Sequence, residues 1–184
     1  MKISWEKVNQ DLEDIRSRTQ QLINGLSPEQ LTRRPDPGQW SIAECLVHLN
    51  LTAKSIQQII GSAIERGKAD KIVGQGPFKA GGVGRLLIWI AEPPPKFKIK
   101  APSKILPPAS IGDPSLVIAE FLRFQDEWAR LVREADSLDL NKIKVKMGFP
   151  GLPPMRLAAT IPWMMAHQRR HLVQAEGVRQ KVGN

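Results

Sequence analysis

Apolar residues recur every third or fourth position in four separate stretches of this chain, each about 20 residues long. That spacing makes an apolar stripe down one side of an α-helix, and the stripe must be buried against another element. In the first stretch, residues 4–25, the stripe is Trp5, Val8, Leu12, Ile15, Thr19, Leu22 and Leu26, with Glu, Asp, Arg and Gln between. The second, roughly 42–65, opens on SIAE, a capping box with Ser41 as N-cap and Glu44 three residues on. Its inner residues are Ile42, Leu46, Leu49, Ala53, Ile56, Ile60 and Ala63. The third starts at Asp113 as N-cap, with Pro114 in the first helical position, and runs to about residue 136. It turns Leu116, Val117, Phe121, Phe124, Trp128, Leu131 and Ala135 inward. The fourth covers about 156–181, and Pro162 either kinks it or marks its true start.

Four such helices with almost no strand signal predict an all-α four-helix bundle, one domain over residues 1–184. SPEQ at 27–30 predicts a short turn and RRPDPGQW at 33–40 a loop. Residues 66–112 read as one long, basic, Gly/Pro-rich insertion between the second and third helices. Within it GKADKIVGQGPFKAGGVG is a loop, RLLIWIAE at 85–92 a short helix ended by PPP, and KFKIKAP an extended segment. So long a connection permits a crossover and is usually functional or a covering lid. Residues 142–154 read as a linker.

Composition narrows the class. The chain has 184 residues and a single cysteine, Cys45, so no internal disulfide forms. That fits a reducing cytoplasm. No apolar run approaches the roughly 20 residues of a membrane span, and no membrane partner is expected. The net charge is +9, and residues 65–108 hold nine cations against three anions. A basic chain suits an anionic partner. Aromatic residues do not interleave with the basic ones, however, so nucleic acid is the least favoured.

The chain has three histidines. His167 and His171, in HQRRH, are one turn apart on the fourth helix, roughly 40° and 6 Å from each other. His48 lies two turns into the second helix. Two imidazoles from one helix face and a third from a facing helix form a three-nitrogen metal set, and bundle cores build metal sites this way. Three protein ligands leave positions open for water or substrate, as catalytic sites require. The alternative is three core histidines satisfied by backbone carbonyls. Gln174, three residues past His171, is placed to approach the ion or to hold a ligand, and Glu44, four before His48, to orient that imidazole. The capping box gives Glu44 a structural task as well. Cys45 and the tryptophans at 40, 89, 128 and 163 read as core.

GQWSIAECLVHL at 38–49, with AHQRRHLVQAEGVR at 166–179, resembles the DinB-like superfamily, four-helix bundles that include YfiT-like metal hydrolases and thiol-dependent S-transferases. RLLIWIAEPPPKFKIKAP is similar to the middle of the subgroup whose last helix reads H-x-x-R-H-x-x-Q-A. The resemblance implies a metal triad at His48, His167 and His171, a divalent ion (Ni, Zn, Mn or Fe) and a homodimer. It also implies a reaction, either transfer of a low-molecular-weight thiol to a small-molecule substrate or metal-assisted hydrolysis. A non-catalytic metal- or ligand-binding stress-response protein is the competing expectation, because no general acid or base stands out beside the triad. A basic nucleic-acid-binding protein comes last.

Overall fold

The computed structural model describes residues 2–97, 100–148 and 151–182. Its long helices are α1 (Trp5–Ile23), α3 (Ile42–Ala69), α5 (Pro114–Glu134) and α6 (Leu157–Val182). Between them lie the short α2 (Pro28–Thr32), α4 (Gly81–Ala91) and a single 3-10 turn at Ser103–Ile105. The helices start where their caps say. Ser41 and Glu44 exchange side-chain bonds with each other's amides at α3, at 3.1 and 2.8 Å. Ser27 and Gln30 form the same box at α2, and Asp113 accepts from the Ser115 amide at α5. Each bond satisfies a backbone donor that the first helical turn leaves without a partner.

The chain is a four-helix bundle. α3 packs on α5 and α6, and α1 packs on α6 and α5. The pairs α1/α3 and α5/α6 therefore lie on the diagonals. Consecutive helices are diagonal at α1–α3, bridged by α2 and the 33–40 loop, and again at α5–α6. The long connection, by contrast, joins neighbours, α3 and α5. This order places α3 directly against α6, so the helix of His48 faces the helix of His167 and His171. The predicted stripes of α1 and α3 are the core: Val8, Leu12, Ile15, Leu22, Ile42, Leu46, Leu49, Ile56 and Ile60 are all buried. On α5, Leu116 departs from expectation and is 69% exposed. It sits about 100° around the helix from Val117, so only one of the two can face inward, and Val117 takes that place.

The insertion is more ordered than the sequence suggests. Residues 66–69 complete α3, and Phe78–Lys79 forms a two-residue strand, antiparallel to Lys2–Ile3. α4 begins at Gly81, inside the glycine-rich stretch expected to be loop. Glycine is a poor helix former, and what stabilises this turn is a close approach. A Cβ at Gly84 would lie 2.4 Å from the Ala159 Cβ of α6. Gly84→Ala is thus expected to cost about 1–3 kcal/mol by forcing α4 off α6. Gly82→Ala, whose Cβ meets nothing within 4 Å, should gain about 0.5–1 kcal/mol. Urea denaturation of both variants checks the pair. Within the 142–154 linker, Lys144–Val145 pairs with Met155–Arg156 as a second small ladder. Lys98 and Ile99 of the extended segment, and Phe149 and Pro150, lie outside the described residues. α6 runs unbroken through Pro162, which sits within its first two turns.

Candidate metal centre

His48 is buried in the middle of the α3–α6 contact, 2% exposed. His167 and His171 are only partly covered, and Gln174 is exposed. The triad therefore sits at the edge of the core with one side toward solvent. One ring nitrogen from each histidine falls within 4.8 Å of the other two. The Nε2 atoms of His48 and His167 are 3.3 Å apart. Two nitrogens each roughly 2.0–2.1 Å from one tetrahedral ion are separated by about 3.3–3.4 Å, so this spacing fits shared ligation.

Neighbours fix the tautomers. The Nδ1 of His48 lies 2.7 Å from the carbonyl oxygen of Ile105, which can only accept. Nδ1 therefore carries the proton and Nε2 presents its lone pair. His171 is arranged alike, with Nδ1 donating to Gln174 Oε1 at 3.0 Å. Such outer hydrogen bonds orient metal-binding imidazoles and raise their basicity. His167 differs. Its Nδ1 is buried with no hydrogen-bond partner. A buried nitrogen left this way costs free energy, and it is not the Nε2 that faces His48. Two indoles bracket the set. Trp163 stacks on His167 with 5.7 Å between ring centroids, and Trp40 on His171 with 5.9 Å.

Charge state follows from position. Burial is the largest influence on all three rings. It pulls His48 below the usual histidine range against the bond to Ile105. It pushes His171 down to about 3, helped by His48, and His167 well below its ordinary value, helped by both neighbours. All three are thus neutral near pH 7, the form in which imidazole binds a metal.

With this geometry the sequence comparison is decisive. A model of the DinB superfamily matches residues 11–175. The chain belongs to the DinB superfamily. Among solved structures, one from Bacillus subtilis is similar over 98% of this chain and 90% of its own, at 16% identity and a TM-score of 0.63. It is described as "YfiT from Bacillus subtilis is a probable metal-dependent hydrolase with an unusual four-helix bundle topology". No curated protein matches the sequence. At that identity the likeness shows the fold, and the diagonal steps of this DinB-superfamily chain are found in its own helix contacts.

The remaining candidates divide. Gln174 reaches the site through His171. Gln174→Ala should weaken divalent-ion binding about 10- to 100-fold, read by titration with a competing chelator, with little change in melting temperature. Glu44 is occupied elsewhere: its oxygens take the Ser41 amide and the Arg34 guanidinium. Burial alone would raise its carboxyl, but the bonds from Arg34 and Ser41 outweigh it and the net shift is below the ordinary 4.5. The folded chain thus holds this proton less tightly than the unfolded chain. Its contribution is present above the ordinary carboxylate range and is lost as pH falls through the lowered folded value. Glu44→Gln keeps the capping geometry and should flatten the acid limb of a plot of melting temperature against pH.

Cys45 is fully buried, and burial, then Glu44, pushes its thiol up to about 12. It is core, as expected. Trp128 is core too, but Trp40 and Trp163 wall the histidines, and Trp89 is 52% exposed. The inner face of α4 is already taken by Gly84, Ile88 and Ala91. The residue that sequence reasoning missed is Ile105. Its contribution is a backbone carbonyl, which no side-chain pattern announces.

Proposed function

We propose that this chain is a metal-dependent enzyme that holds one divalent ion on His48, His167 and His171 and transfers a group of a small-molecule substrate to water or to a low-molecular-weight thiol. The observation that carries this reading is the convergence of three neutral imidazoles, two of them already turned by Ile105 and Gln174 to offer Nε2. Imidazole donors suit Zn, Ni or Fe(II) ahead of Mn, and they do not suit Mg or Ca. A divalent ion so held supplies Lewis acidity, which makes a nucleophile of water or a thiol near neutral pH.

The chain's own part is orientation. His48 keeps its ring fixed from the core side, while Trp163 and Trp40 limit the swing of His167 and His171. His167 and His171 are the less buried members of the set, so substrate would approach from their side. The YfiT likeness favours hydrolysis. S-transfer stays beside it because the superfamily that the chain resembles also includes thiol-dependent S-transferases. We take the protein to act in the cytoplasm as a homodimer, on the strength of its lone cysteine and that resemblance.

One feature favours a second reading, a non-catalytic metal-binding protein: the cluster of histidines contains no carboxylate to act as acid or base. Elemental mass spectrometry on protein purified without a chelating tag comes first, followed by ester, amide and thiol-transfer assays of the loaded protein. Turnover that disappears on chelation supports the enzyme. Stoichiometric metal without turnover selects the second reading. No ion bound after Zn, Ni, Mn and Fe(II) are offered ends both.

A further inference from the structure

α4 is apolar on both sides. Gly84, Ile88 and Ala91 pack on α6, yet the outer face presents Val83, Leu86 and Trp89, 49, 55 and 52% exposed. A helix lying on a protein surface ordinarily turns a polar face outward. Beside this face, between α1 and α4, lies a cleft of about 960 Å³. Pockets of roughly 300–1,000 Å³ suit small ligands. Leu86 and Trp89 line it with Val8, Ile88 and Pro162.

Its charges are unevenly satisfied. Asp11 is paired with both Lys7 and Arg169, and Glu92 with Arg169. Arg85, one turn before Trp89 on α4, lines the cleft and makes no ion pair among the described residues. The Lys96 ammonium donates to the Glu92 carbonyl and stands 5.6 Å over the Trp89 ring, with no carboxylate paired to it among the described residues. An exposed indole thus has one cation over its ring and a second, Arg85, one helical turn away, while Asp14 on the α1 side is a lining carboxylate outside any ion pair among the described residues.

We propose that this cleft binds an amphiphilic anion, its apolar or aromatic body on Trp89 and Leu86 and its acid group on Arg85 and Lys96. A cation-flanked aromatic shelf favours an anion over a neutral ligand of the same shape. The cleft is concave and bounded by α1, so a single free molecule reaches its floor and a flat lipid surface does not. The site is separate from the histidines. Arg169, which lines it, lies about 200° around α6 from His167.

The test uses the full chain with anilinonaphthalene sulfonate as fluorescent probe and dodecanoate as competitor, followed by calorimetry with dodecanoate and with dodecanol. Saturable binding is expected, weakened at least about tenfold by Trp89→Ala and by Arg85→Glu, and at least about tenfold weaker for dodecanol. Both side chains are exposed, so unchanged melting curves should accompany the loss. Chelation and His171→Ala should leave this binding intact, which separates it from the metal reading. Equal affinity in either variant, equal affinity for dodecanol, or no saturable binding would overturn the proposal. So would binding seen only as co-sedimentation with phosphatidylglycerol vesicles, which would make the face a membrane-docking surface.

Discussion

Replacing His171 by alanine is expected to take bound divalent ion from about one per chain to almost none, because three ligands are the fewest with which an open site holds its metal. The two imidazoles that remain sit on different helices, so the pairing of neighbours on one helix face is lost with this single change. The loss should exceed the roughly 10- to 100-fold that removal of an outer hydrogen-bond partner such as Gln174 brings. His48→Ala should match it in metal content but differ in stability. His48 is buried and its Nδ1 holds Ile105, so alanine there also leaves the Ile105 carbonyl without its donor. An unsatisfied buried acceptor costs about 1–3 kcal/mol. His171 is at the rim, and its loss should leave the apo-protein nearly as stable as before. The check is elemental mass spectrometry beside thermal melting of the metal-free proteins. Full metal occupancy in His171→Ala would remove that histidine from the ligand set.

Why the triad is legible in the sequence and its surroundings are not is a matter of which groups carry the information. The histidines are few, and helical periodicity alone puts His167 and His171 on one face. The stripes of α1 and α3 are equally plain, because burial on one side of a helix leaves a repeating trace. The caps at Ser41 and Asp113 follow from local chemistry, which needs only three or four residues to be read. The order of helices around the bundle leaves no such trace. The diagonal steps at α1–α3 and α5–α6 depend on how loops of ordinary composition cross the ends.

Backbone contributions are also silent. Ile105 serves through its carbonyl, so any residue in that 3-10 turn would read the same. Only the start of α4 is hidden: RLLIWIAE reads as a helix, but Gly84, which lets the turn before it lie against Ala159, signals a loop when read in isolation. Trp89 misleads for a related reason: an indole is usually covered, and here the helix beneath it is already packed on its other side.

The two arginines inside HQRRH are expected to carry a stability effect large enough to see in a melting curve. Arg170 donates to the carbonyls of Ile90 and Phe97, tying the end of α4 and its following loop to α6. Arg169 points away from the histidines and joins three elements. Its Nε and Nη2 grip the Glu92 carboxylate at 2.8 and 2.7 Å, and its Nη1 is 2.7 Å from Asp11 Oδ2, an ion pair without hydrogen-bond geometry. Asp11 is only 6% exposed. Removing one partner of a buried pair costs about 3–5 kcal/mol, because the charge left behind is desolvated and uncompensated. Lys7 still reaches Asp11, and Glu92 is more open to water, so Arg169→Met should fall at the low end, about 3 kcal/mol. For a chain of this length that lowers the melting temperature by roughly 6–12 °C.

Asp11→Asn in the same background should return part of the loss, since it removes the stranded charge. The double variant should therefore be less destabilised than the sum of the singles. Metal affinity should change far less than in His171→Ala, because Arg169 touches no imidazole. A melting temperature within about 1 °C of the parent would show Asp11 and Glu92 to be hydrated without Arg169. The arginine would then be a surface residue that happens to lie between two histidines.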